Sequence, residues 1–196
     1  MERLKEFYKR SKVTFILLTI MIVYFIFMTL NGGTTNVETL VRYGAFYPPI
    51  IIPFNQYHRF ITSIFIHIGF MHMFFNGYAL FLFGPQIENL MGSKKYLFFF
   101  LLAGIGGNLT TFLFNFVSIS AGASGSLFGL FGAFLYLIHR HKNMITKEGR
   151  KSILTLLGIN LALTIFVPSI SITAHLGGLV IGYLLSYIFI KNPYNS

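Results

Sequence analysis

Residues 13–30, "VTFILLTIMIVYFIFMTL", run for about 18 positions without a charged side chain, and a run of that kind has few destinations. As a helix it covers roughly 27 Å, close to the roughly 30 Å hydrocarbon core of a bilayer. It exceeds a signal-peptide core, and the Asn31-Gly32-Gly33 that follows is a poor cleavage site, so it reads as a retained span. Comparable runs fall at 69–90, 96–116, 121–139, 153–167 and 171–190. The expectation is an all-α polytopic membrane protein of six transmembrane helices. With 55% hydrophobic and 10% charged residues, too little polar surface remains to solvate a globule.

The fifth run is the exception. At about 15 residues it covers roughly 22 Å, short of the core, so it must thin the bilayer or sit loosely. It is the candidate moving part. Residues 31–68 form an outer loop whose apolar stretch "YGAFYPPIIIPF" is broken by Pro48, Pro49 and Pro53 and cannot span. It reads as a loop half-sunk in the interface. The whole chain, 1–196, reads as one membrane-embedded domain with no soluble domain at either end.

The formal net charge of +10 would suit nucleic acid, but its distribution does not. Arg3, Lys5, Lys9, Arg10 and Lys12 precede the first span. Lys94 and Lys95, then Arg140, Lys142, Lys147, Arg150 and Lys151, then Lys191 fall at every second connection thereafter. Six spans put all of these on one side, which the positive-inside rule makes the cytoplasm, with both termini. Arg42 and Arg59 are left facing out. The partner implied by this pattern is a lipid bilayer and not nucleic acid. Cysteine is absent, which removes disulfides and thiolate metal sites.

Polar side chains inside spans are costly and need a reason. Three places stand out: "HIGFMHMFFN" with His67, His72 and Asn76; "ISAGASGSLFGLFGA" with Ser124 and Ser126; and "TAHLGGLVIG" with His175. His72 and Asn76, four apart, share a helix face; His67 lies about 140° from His72 and is assigned a structural role. Gly122, Gly125, Gly129 and Gly132 form one glycine stripe, and His175 shares a seam with Gly178 and Gly182. Such seams let backbones approach, so spans four and six should be neighbours. Packing alone explains every glycine and either serine, but not His175. Ser126 lies about 200° round from Ser124, so at most one of them faces the histidine, and spacing does not choose.

Depth adds a constraint. Ser124 and His175 both lie within a few residues of the outer surface. If span two began at Phe60, Asn76 would lie roughly 24 Å down and could not meet them; if it begins near Gly69, His72 and Asn76 fall at roughly 5 to 11 Å. A convergent site therefore predicts that residues 60–67 belong to the outer loop.

A hydroxyl, two imidazoles and a carboxamide at one depth are a set for acyl transfer. The sequence has no aspartate, and Glu2, Glu6, Glu38, Glu88 and Glu148 all read as tail or connection residues. A triad is excluded, and a serine hydrolase here would be a dyad. Loss of the carboxylate costs a soluble triad about 10⁴ in kcat, so slow turnover is expected. The G-x-S-x-G elbow fails at Ser126, no H-E-x-x-H zinc motif occurs, and three-histidine metal binding by His67, His72 and His175 has poor geometry. No cofactor or metal is implied.

These motifs resemble the rhomboid intramembrane serine proteases in their compact six-span bacterial form. The resemblance rests on G-x-S-G at 122–125, A-H-x-x-G-x-x-x-G at 174–182 and H-x-x-x-x-H-x-x-x-N at 67–76. It implies Ser124 as nucleophile, which decides against Ser126, and His175 as general base. It implies an oxyanion hole of His72, Asn76 and the Ser124 backbone N–H. Phe128 looks like the aromatic that packs on the catalytic imidazole, with Gly122, Gly125, Gly178 and Gly182 supporting, and Phe75 looks like a gate residue beside span five. Single-span membrane proteins cut near the outer face are the implied substrates, and the bacterial cell membrane the implied location. His58-Arg59 stands where the family often has Trp-Arg, and position 170 is isoleucine where some members have glycine. The rival readings are a small transporter or channel with a His- and Asn-lined pathway, and an inactive rhomboid-fold scaffold that binds client helices. An enzyme predicts a Ser124 hydroxyl within about 3.5 Å of the His175 imidazole.

Overall fold

The computed structural model describes residues 7–167 and 170–190. Arg3, Lys5 and Lys191, on which part of the charge argument rests, lie outside the described residues, as do Glu2 and Glu6. Six long helices carry the architecture: α1 (Lys12–Leu30), α2 (Gly69–Met91), α3 (Ser93–Phe114), α4 (Ser124–Arg140), α5 (Lys147–Phe166) and α6 (Ile172–Phe189). α1, α3, α5 and α6 are long and apolar enough to cross a membrane. A fifth span is counted if α2 is joined to the bent segment before it.

α4 is the axis of the bundle. Every residue from 125 to 137 except Leu135 is buried, because α3 and α6 close on it through glycines. A methyl group on Gly178 would run into the Gly125 carbonyl, and one on Gly182 into the Gly129 carbonyl. One on Gly107 would lie 2.6 Å from the Ala174 carbonyl. The two stripes on α4 and α6 therefore meet, and α3 adds a third that the sequence reading did not single out. Outward faces are apolar, with Ile20, Val23, Ile26 and Phe27 of α1 exposed. Such a belt suits lipid and not water.

Before α2 the chain turns sharply. Arg59–Phe65 lies at 92° to Gly69–Met91, which puts residues 60–67 outside α2, where the depth argument needs them. Arg59 is buried within the loop: it is 4% exposed, and its guanidinium donates to the Ala45 carbonyl at 2.7 Å and to Gln56 Oε1. A buried cation must spend its donors on protein acceptors, and here they tie the segment before α2 to Ala45 in the middle of the loop. Asn108 of α3 reaches the same segment, donating to the Phe60 carbonyl and to Ser63 Oγ, both at 2.9 Å.

Two expectations need correction. α5 runs from Lys147 to Phe166, 20 residues rather than 15. Its first turns are polar, starting from a Thr146 cap that accepts from Gly149 N–H, and so escape an apolar count. The other concerns Glu88, which lies within α2 and is 1% exposed. Its carboxylate accepts from Val13 N–H at 2.9 Å, Thr14 N–H at 2.8 Å, Thr14 Oγ1 at 2.8 Å and Ser93 Oγ at 2.6 Å. The first-turn amides of a helix have no intrahelical partner, and Ser11 offers α1 no side-chain cap. Glu88 supplies that cap from another helix. Glu88→Ala should cost about 3 kcal/mol by leaving these donors unmet, read as a lowered midpoint of thermal unfolding in detergent.

Candidate active site

Ser124 is the first residue of α4, directly after its cap Ala123, so its backbone N–H is among the amides that α4 cannot bond internally. The approach to it is tightly held. Gly122 N–H donates to the Ser63 carbonyl at 2.9 Å, and Ala123 N–H donates to His67 Nε2 at 3.2 Å. His67 Nδ1 faces the Phe65 carbonyl at 3.3 Å. An amide can only donate and a carbonyl only accept, so Nδ1 of His67 carries the proton. The ring is fully buried and pins the bent segment to the start of α4.

His72 sits beside this loop with the opposite tautomer. Its Nδ1 accepts from Ile68 N–H at 3.4 Å, so the proton is on Nε2. That atom faces Gly122, where an added Cβ would lie 2.7 Å from it. Gly122 also has φ +126, in the region that disfavours L side chains. Gly122→Ala should therefore cost about 1–3 kcal/mol and push the His72 ring away, read as a lower unfolding midpoint. Asn76, one turn on, donates from Nδ2 to the His72 carbonyl at 3.0 Å, and its Oδ1 is buried without a hydrogen-bond partner among the described residues.

His175 is the fourth residue of α6, which starts from a Ser171 side-chain cap. Thr111 of α3 fixes that start through Thr173 at 3.0 Å and Ser171 at 3.4 Å. The imidazole stacks on Phe128, with centroids 4.1 Å apart and planes 20° from parallel. Phe128 is one turn from Ser124 on α4, so the stack holds the imidazole against the helix that carries both serines. Ser126 faces elsewhere: it is fully buried, and a methyl on Gly104 of α3 would collide with its hydroxyl.

Not every sequence expectation is met. Among the described residues no hydrogen bond joins Ser124 to His175; the ring's Nδ1 bonds Thr164 Oγ1 of α5 at 2.7 Å instead. Phe75 is 58% exposed, and its ring packs edge-on against Phe74 at 5.6 Å. A cavity of about 360 Å³ lined by Phe83, Phe134, Ile153 and Leu156 holds none of the site residues. Thr164 is the residue the sequence reading missed; the available signal was Asn160 and Thr164, four apart in a short apolar run.

Comparison with known proteins completes the picture. The Rhomboid domain family model matches residues 54–192. The chain is 36% identical over 170 residues to the rhomboid protease GluP of Bacillus subtilis, covering 87% of this chain and 33% of that protein. It is 36% identical over 138 residues to the B. subtilis rhomboid protein YdcA, covering 70% of this chain and 69% of that one. Against RHOMBOID-like protein 1 of Arabidopsis thaliana it is 32% identical over 157 residues, 79% of this chain and 40% of that one. The chain thus spans about a third of GluP's length, and it belongs to the rhomboid family.

Proposed function

We propose that this chain is an intramembrane serine endopeptidase that cuts single-span membrane proteins near the outer membrane face, with Ser124 as nucleophile and His175 as general base. The observation that carries the reading is the stack of His175 on Phe128, which presents the imidazole one turn from Ser124 at the head of the glycine seam. The protein then spans the bilayer six times, α4 being the buried central span and α2 the span entered through the bend, with both termini in the cytoplasm of a bacterial cell.

The chemistry follows from the groups in place. Ser124 Oγ attacks the scissile carbonyl while His175 Nε2 takes its proton. The oxyanion that forms accepts from His72 Nε2–H, from the second Nδ2 proton of Asn76 and from Ser124 N–H. Collapse breaks the C–N bond, and His175 returns the proton to the leaving amine. Water, deprotonated by His175, then attacks the acyl-serine carbonyl; the bond from the acyl carbon to Ser124 Oγ breaks, His175 returns the proton to that oxygen, and the carboxylic acid product leaves. Catalytic hydrogen bonds are often long before substrate binds, which accommodates the unbonded Ser124 hydroxyl.

That unbonded hydroxyl is also the observation on which the transporter and scaffold readings would lean. Fluorophosphonate labelling together with cleavage of a membrane-anchored reporter separates the three. Wild type and Ser126→Ala should label and cleave, and Ser124→Ala should do neither. Cleavage persisting in Ser124→Ala sinks the mechanism, and loss confined to Ser126→Ala moves the nucleophile.

A further inference from the structure

The second nitrogen of His175 has a defined partner. Thr164 Oγ1 lies 2.7 Å from His175 Nδ1, and the same hydroxyl donates to the Asn160 carbonyl at 2.7 Å. A hydroxyl has one hydrogen, and a carbonyl has none to give. With that hydrogen committed to Asn160, Thr164 can only accept from the imidazole. Nδ1 therefore carries the proton, and Nε2 carries the lone pair a general base needs.

We propose that Thr164 is the positioning residue of this site, fixing the tautomer and the flip state of the His175 ring through a neutral hydroxyl. The proposal rests on the reading of His175 as the base for Ser124. Stacking on Phe128 sets the plane of the ring but not which of its two edges, Nδ1 or Cδ2, meets α5, since a half-turn about the Cβ–Cγ bond leaves a stacked ring stacked. Thr164 removes that freedom, because the flipped ring would present a carbon to the hydroxyl. In soluble triads a carboxylate holds the histidine tautomer. Among the described residues no carboxylate bonds this ring, and a threonine at 4% exposure meets the geometric need without placing a charge in the bilayer.

The bond also comes from a lightly held helix. Along α5 only Ile153, Leu157 and Thr164 are buried, so Thr164 is the buried point of its outer half. The orientation of the base is thereby conditional on α5 lying against α6.

The test uses the full chain in proteoliposomes with a membrane-anchored reporter, comparing wild type, Thr164→Val and Thr164→Ser. Thr164→Val keeps the shape and removes the hydroxyl. It should lower kcat about tenfold, the scale of one neutral hydrogen bond, with KM unchanged, and Thr164→Ser should recover most of the loss. Nitrogen NMR of histidine-labelled protein, with the His175 signals assigned by their absence in His175→Ala, should show Nδ1–H alone in wild type and mixed tautomers in Thr164→Val. Full kcat in Thr164→Val, a Thr164→Ser variant no better than it, or an Nε2–H tautomer in wild type would each overturn the proposal. If wild type cleaves no more than Ser124→Ala, the protease reading falls, and the nitrogen spectra still decide whether Thr164 holds the ring.

Discussion

Ser124→Ala should reduce reporter cleavage to background, a loss of about 10³-fold or more in kcat, while leaving the unfolding midpoint where it is. The second half of that expectation makes the first informative. The Ser124 side chain makes no hydrogen bond among the described residues, so its removal orphans no partner and should change stability by no more than about 0.5 kcal/mol. The His175–Phe128 stack, the His67 contact with Ala123 and the glycine seam all remain. A variant that folds as wild type, fails to label and fails to cleave has lost only its nucleophile. One that loses cleavage together with its unfolding transition says nothing about chemistry, and comparing the two readouts in the same preparation tells these cases apart.

The largest loss of stability is expected from Gly178→Val. The obstacle to a side chain there is the Gly125 carbonyl and the backbone around it, which cannot rotate aside as a side chain would. Overpacking a core costs about 1–3 kcal/mol when side chains can shift. At a backbone-to-backbone contact about 3 kcal/mol or more is expected, because α4 and α6 must separate along the whole seam. Cleavage should fall with stability, since Ser124 and His175 ride on those two helices. Val180→Ala, two residues on and 55% exposed, is the control and should change neither thermal unfolding nor cleavage. A Gly178→Val protein with a wild-type midpoint would mean that the seam does not hold the bundle.

The contrast between Gly178 and Thr164 shows what the sequence could reveal. Glycines at helical spacing report close backbone approach without naming a partner, and two such stripes were enough to pair α4 with α6. The start of α2 at Gly69 was legible because His72 and Asn76 had to sit at the depth of Ser124. Ser126 could be separated from Ser124 by phase, although only the family motif chose between them.

What stayed hidden has physical reasons. Thr164 is one neutral hydroxyl in an apolar run, and its partner is 11 residues away on another helix. Glu88 was read as a connection residue because a carboxylate near a span end is usually solvated, and nothing in the sequence shows that α1 begins without a cap. The burial of Arg59 has no sequence signal, because a loop cation is ordinarily solvated and nothing in the sequence pairs it with the Ala45 carbonyl or Gln56. The first turns of α5 were missed because a helix may continue past the hydrocarbon, where polarity no longer marks its end.

The glycine seam has a bearing on motion. Two helices in backbone contact can neither slide past each other nor lean apart in small steps, since Gly178 and Gly182 each meet a carbonyl and a shift of one residue toward the C-terminus would set Leu179 and Tyr183 against them. α3, α4 and α6 are therefore locked together at their backbones, and any opening of the bundle is left to the elements that carry no glycine contacts to α4. Of these, α5 holds on through three buried side chains, one of them bonded to His175. Opening the molecule along that helix would break the Thr164 bond to His175 as it made room, so the closed and open forms would differ in how the imidazole is held as well as in shape.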